Sequence, residues 1–209
     1  MGNENKIMSI FTKVMDAVIL GVLWLMCSIP VITLGAASSA LYYAFHKCVR
    51  QDRGSAWKSF FEAFRCNFKQ ATLLWLVQLG MIAFTYVDYQ ILNAYSKAFP
   101  FLTVLAGCMI AAFVFLILWG LYVFAYISRF DCPWKEGGKI AAWMVISNPL
   151  RSLALLVVYA VLVMGAVLAP YIGILAPAVY IFAANRLLEG VFRNHMSDED
   201  LKKEKFYLE

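Results

Sequence analysis

Few side chains in this chain could do chemistry, and four of them share one apolar stretch. Gln78, Thr85, Asp88 and Tyr89 lie within residues 70–93. Gln78, Thr85 and Tyr89 recur at i, i+7 and i+11, so they share one face of a helix; Asp88 lies beside Thr85 and Tyr89 only partly. If that stretch crosses a membrane, polar groups in it are costly and mark solute or proton paths. These four residues form the candidate intramembrane polar site, with Asp88 its sharpest member. The plainer reading of Asp88 is an interfacial carboxylate reaching headgroup water. Asn185, Arg186 and Glu189 end the last apolar run, and the i, i+3 spacing of Arg186 and Glu189 lets them pair along a helix. Asp16 sits at the edge of the first run, with Arg129 or Arg186 the expected partner.

Other chemistry has no motif. The chain has no phosphate-binding glycine loop, no H-E-x-x-H and no G-x-S-x-G,. Without the first it is not the ATPase of a transport system. Cys27, Cys48, Cys66, Cys108 and Cys132 show no C-x-x-C spacing, and their odd count argues against a disulfide framework,. His46 at a helix end and His195 in the tail read as surface residues. The expectation is a non-enzymatic protein with no catalytic residues, no metal and no cofactor.

The elements that must position these residues follow from composition. Of 209 residues, 63% are hydrophobic and 15% charged, too few polar groups to cover a soluble domain. Residues 17–46, 98–128 and 152–185 contain no Asp, Glu, Lys or Arg, and 70–87 is a fourth such run. A transmembrane helix needs about 20 apolar residues. The run 152–185 would extend about 51 Å as one helix, against a hydrocarbon core of about 30 Å. Pro170, Gly173 and Pro177 break it into a hairpin. Pro30 and Gly35 break 17–46 in the same way. The returning segment, rich in Ala and Ser, suits close packing against protein and reads as a short or re-entrant helix. The fold class is therefore an all-α polytopic membrane bundle with six spans, at about 12–29, 36–50, 70–93, 101–128, 151–168 and 172–189. Five spans are the alternative, with 17–46 as one tilted helix. The stretch 197–209 reads as a short cytoplasmic tail. Although the first 35 residues mimic a signal peptide, the long apolar region and the spans behind it argue against cleavage.

Charge sets the orientation. The 18 Lys and Arg fall two in 1–13, six in 47–69, one in 94–100, four in 129–151 and five in 186–209. Six crossings with the amino end inside place 17 of these 18 on the cytoplasmic side, as the positive-inside rule favours,; the five-span alternative places 15 there. Both loops on that side are patterned. Trp57, Phe60, Phe61, Phe64 and Phe68 recur at helical spacing, with Lys58, Glu62, Arg65 and Lys69 on other faces, as in a helix lying at a lipid surface,. The second loop opens on a similar Trp134-Lys135. Trp57, Lys58, Phe61, Arg65, Trp134 and Lys135 form a candidate inner docking surface, since aromatic residues and arginine concentrate at interface hot spots. Gapped, short echoes, such as Leu41-Tyr42, Leu121-Tyr122 and Val179-Tyr180, fit chance similarity or three related hairpins.

The stretch Ser28-Ile29-Pro30-Val31-Ile32-Thr33-Leu34-Gly35, followed by Ala40-Leu41-Tyr42-Tyr43, resembles the amino-terminal signature of the YesL-like family of bacterial membrane proteins. So does Ser59-Phe60-Phe61-Glu62-Ala63-Phe64, followed by Asn67-Phe68-Lys69-Gln70-Ala71-Thr72-Leu73-Leu74-Trp75-Leu76. The motif covers the first third of the chain, and size and hydropathy are similar throughout. The family is a domain of unknown function, without established functional residues. Its members tend to lie in sugar-uptake and polysaccharide-degradation gene clusters beside ABC-transporter components. The resemblance implies an accessory component linked to carbohydrate uptake in the bacterial cell membrane. Expected partners are the lipid bilayer and ABC-transporter subunits or another cytoplasmic protein, with no nucleic acid. A stand-alone small-solute transporter or channel is the alternative function. Reporters fused at residue 32 and after residue 209 test the topology: six crossings expect an outside signal from the first and a cytoplasmic signal from the second. A cytoplasmic signal at residue 32 defeats that count.

Overall fold

The computed structural model describes residues 2–96, 99–130, 132–168 and 170–195. Their regular structure is entirely helical: α1 Gly2–Ser28, α2 Leu34–Ala44, α3 Ala56–Tyr95, α4 Phe101–Arg129, α5 Trp134–Ser147, α6 Pro149–Leu168 and α7 Pro170–His195. Five of these, α1, α3, α4, α6 and α7, contain stretches long and apolar enough to cross a membrane. The chain is a multi-pass membrane protein. The expected tail, 197–209, lies outside the described residues.

Three hairpins, α1–α2, α3–α4 and α6–α7, return to one end of the bundle. Lys13 near the start of α1 pairs with Asp52 after α2 at 2.9 Å. Lys47 after α2 lies 3.8 Å from Glu62 near the start of α3. Arg129 at the end of α4 pairs with Glu189 near the end of α7. The described basic clusters thus gather at one end, as the charge pattern requires.

Proline and glycine shape the breaks. α1 stops at Ser28, a short 3₁₀ turn covers Val31–Thr33, and α2 begins at Leu34. Proline lacks the amide donor that a continuing helix needs. Pro149 and Pro170 each open a helix, the position where that missing donor costs nothing,. The basic-end turn after α2 places Gly54 at φ +79°, a conformation L side chains rarely adopt,.

The segment expected as a short returning helix, about 36–50, forms the return arm of the first hairpin. α2 has 11 residues and runs on into a π turn, Phe45–Arg50; it is not among the five span-length helices. Gly35, Ala36, Ala37, Ser39, Ala40 and Leu41 are all buried. Small side chains let neighbouring helices close over α2, so protein rather than lipid surrounds most of it. Gly35 permits the closest approach, since a Cβ there would lie 2.6 Å from the Ala71 carbonyl and 2.7 Å from Trp75 Cβ. The hairpin tip is fixed by Trp75, whose Nε1 donates to the Val31 carbonyl at 2.7 Å.

α3 also departs from expectation. A separate surface helix over 51–69 followed by a span does not occur; α3 is one helix of 40 residues. No proline interrupts it, and Asn67-Phe68-Lys69-Gln70 is compatible with helix. At about 60 Å it outruns the hydrocarbon core even at about 40° of tilt, so part of it stands outside. The charged amino-terminal half is that part. Its aromatic stripe faces inward more than expected: Phe60 is fully buried, Phe61 and Phe64 are half-buried, and Trp57 is exposed.

Replacing Gly35 with Ala should destabilise the bundle by about 1–3 kcal/mol, the usual range for overpacking. A lower melting temperature and a broadened size-exclusion peak should report it, whereas Gly80→Ala, with open space at its Cβ position, should leave both unchanged.

Candidate functional site

Two features dominate the interior. The first is a polar cluster where α2, α4 and α7 meet. Tyr42 donates its hydroxyl to Glu189 Oε1 at 3.0 Å. His46 Nδ1 lies 3.4 Å from the same oxygen, and the Arg129 guanidinium pairs with it. Asn185 Oδ1 accepts from Arg50 Nη1 at 2.7 Å, and Asn185 Nδ2 lies 3.4 Å from His46 Nδ1. The His46 tautomer decides whether Nδ1 donates to Glu189 or accepts from Asn185 Nδ2,. Glu189 and Asn185 are buried, and the Arg129 guanidinium packs on the rings of Phe130 and Phe192 at 5.6 and 5.9 Å. A carboxylate in such surroundings persists only when paired and hydrogen-bonded.

The helix spacings account for the cluster. Tyr42, His46 and Arg50 are four residues apart, as are Asn185 and Glu189, so each set shares a helix face. That spacing was the available signal; without a fold, nothing said that the two faces meet. The expected pairing of Arg186 with Glu189 does not form among the described ion pairs. Glu189 turns inward to Arg129 and His46, while Arg186 is exposed. Arg129 therefore pairs with Glu189, whereas the expected partner was Asp16.

The second feature is a partly open cavity of about 660 Å³ between α1–α2, α3–α4 and α6–α7. Trp24, Tyr42, Trp75, Gln78, Tyr159 and Tyr180 are among its walls. Most of its polar atoms are already engaged. Trp24 Nε1 donates to Ser38 Oγ at 3.1 Å, and Gln78 Nε2 donates to the Leu116 carbonyl at 3.0 Å. Gly120 leaves room for the Gln78 amide, because a Cβ there would collide with it. Tyr42 joins the two features, lining the cavity with its ring and holding Glu189 with its hydroxyl.

The expected intramembrane quartet separates. Gln78 lines the cavity. Thr85 is buried, but its hydroxyl donates back to the Met81 carbonyl at 2.8 Å. Asp88 and Tyr89 are half-buried and absent from the cavity walls; Asp88 lies about 15 Å further along α3 than Gln78.

The docking set also separates into two patches. Trp57 and Phe61 touch, with ring centroids 5.0 Å apart, beside exposed Lys58 and Arg65. Lys135 lies over the Trp134 ring at 5.4 Å. Gln70 donates to the Cys132 carbonyl at 2.7 Å, which anchors the start of α5 about 20 Å along α3 from Trp57,. All five cysteines are free, and among the described residues no group of three or more His, Cys, Asp or Glu could hold a metal.

Residues 17–89 match the family model for a protein of unknown function, DUF624. The match runs from the second half of α1 to near the end of α3, and takes in α2, Trp75, Gln78 and the Trp57 patch. No curated protein and no solved structure matches the chain.

Removing one partner of the buried ion pair should cost far more than removing both. Glu189→Ala should destabilise by about 3–5 kcal/mol, because it strands the Arg129 charge. Arg129→Met with Glu189→Met should recover most of that loss, as measured by thermal unfolding in detergent.

Proposed function

We propose that this chain is a non-enzymatic accessory protein of the bacterial cell membrane, linked to carbohydrate uptake. It docks a cytoplasmic partner, such as an ABC-transporter subunit, on the amino-terminal half of α3. The observation that carries this reading is the length of α3. A helix of 40 residues that outruns the bilayer holds Trp57, Lys58 and Arg65 exposed on a rigid support. Aromatic residues and arginine on such a support have the composition of a binding hot spot. The sign of the exposed charges suits the cytoplasmic side. The link to carbohydrate rests on the resemblance to the YesL-like family and the gene clusters its members occupy, with the match to a family of unknown function beside it.

A stand-alone small-solute transporter is the second reading, and the cavity at Gln78 favours it. Its walls argue against a free sugar as the solute. A sugar needs many convergent polar groups, and Asp88, the sharpest candidate for one, is not among the walls.

The test is photocrosslinking in cells from positions 57, 58, 65 and 135. Capture of a transporter subunit or cytoplasmic regulator from 57, 58 and 65 is the expected result. Crosslinks to lipid alone from these positions would leave the segment a membrane anchor and end the docking reading.

A further inference from the structure

We propose that the cavity between the three hairpins binds an uncharged lipid, whose carbonyl oxygen accepts from the hydroxyls of Tyr159 and Tyr180. Both tyrosines are cavity walls, one on α6 and one on α7. Their rings meet edge to face, with centroids 6.1 Å apart. The buried tyrosines Tyr42 and Tyr122 spend their hydroxyls on Glu189 and Ser152. Those of Tyr159 and Tyr180 have no hydrogen-bond partner among the described residues. Nor are they sealed in. Tyr159 keeps 36% of its surface, and the hydroxyl of half-buried Tyr180 retains open surface. Tyr159 lies about 15 Å along α6 from Pro149, and Tyr180 about 14 Å along α7 from Glu189. Both are therefore near the middle of a hydrocarbon core about 30 Å thick. An unpaired hydroxyl at that depth is costly, and a ligand that engages it removes the cost.

The other walls set the class of molecule. None of the described walls is Asp, Glu, Lys, Arg or His, so a charged headgroup would enter without a counter-charge. That excludes a whole phospholipid, and an acyl chain entering alone carries no acceptor. The N–H groups of Trp24, Trp75 and Gln78 are committed to Ser38, Val31 and Leu116, which leaves hydroxyls to hold a ligand. A carbonyl oxygen has two lone pairs, and two hydroxyls on rings this close can share it. Leu25, Ile117, Phe124 and Leu162 give aliphatic and aromatic surface for the hydrocarbon part. The volume of about 660 Å³ falls within the range of small-molecule sites. The cavity is partly open, and Val163 on its wall is exposed. Tyr159 and Val163 are four residues apart, so they share one face of α6. An apolar rim in a membrane bundle admits molecules from lipid more readily than from water. This site is independent of docking at Trp57 and is tested separately.

The experiment uses the full chain in phosphatidylcholine nanodiscs with three diazirine-bearing probes of equal chain length. One is a methyl ketone, the second has a methylene in place of the carbonyl, and the third is a sulfonate, which is always charged. Labelled residues are read by mass spectrometry, with exposed Phe84 and Val104 as the scale for labelling from bulk lipid. The ketone should label Ile117, Leu162 or Trp75 about fivefold more than the hydrocarbon does, the size of one neutral hydrogen bond. The sulfonate should label them no more than the hydrocarbon. Tyr159→Phe with Tyr180→Phe keeps both rings and should abolish the preference for the ketone. Equal labelling of the cavity residues by ketone and hydrocarbon in the unaltered protein would overturn the proposal. So would labelling confined to Phe84 and Val104, labelling by the sulfonate as strong as by the ketone, or a ketone preference that survives in the Tyr→Phe variant. The comparison in the unaltered protein decides the matter even if the variant fails to fold.

Discussion

The Glu189 carboxylate is the contact on which the rest of the bundle depends. It draws together Tyr42 and His46 from the α1–α2 hairpin, and Arg129 from the α3–α4 hairpin, onto the α6–α7 hairpin. A membrane bundle gains little from hydrophobic contact between helices, because lipid is as apolar as leucine. Packing of small residues and a few polar contacts must select one arrangement. Gly35 and the alanines of α2 supply the first, and Glu189 supplies the second. The ion pair need not add net stability to do this, since its worth lies in what a wrong arrangement would leave unpaired.

The same contact ties the two interior features together. Tyr42 is held from below by Glu189 and forms part of the cavity wall above. Trp24 and Trp75 are likewise fixed, by Ser38 and by the Val31 carbonyl. The aromatic lining is positioned by hydrogen bonds at its edges and is not a loose collection of side chains.

The sequence made the hairpins legible because proline, glycine and charge are local signals. Pro30 marks a turn that forms where expected, Pro170 opens a helix at the expected break, and the described basic residues gather at one end. Two features were not legible. An amphipathic stripe from Trp57 to Phe68 reads the same whether it faces lipid or another helix, and only the folded chain shows that Phe60 is buried. The quartet from Gln78 to Tyr89 shared a helix, but helix periodicity does not say how far a neighbouring hairpin reaches, so Asp88 fell beyond the cavity. Glu189 was visible as a candidate, yet its partners lie 60 and 147 residues away in Arg129 and Tyr42, a distance that spacing rules do not cross.

The unbroken course of α3 has a mechanical consequence. Trp57 and Gln78 stand on one rod about 32 Å apart, with no proline between them,. Such a rod passes rotation along its axis and swings as a unit. Its closest packing is the belt where Ala71 and Trp75 meet Gly35. A swing of a few degrees about that belt would shift the Trp57 end by an ångström or more and move Gln78 much less, because the arm on the Trp57 side is several times longer. The geometry is that of a lever with unequal arms, which turns a large displacement at the basic end into a small adjustment of the cavity wall.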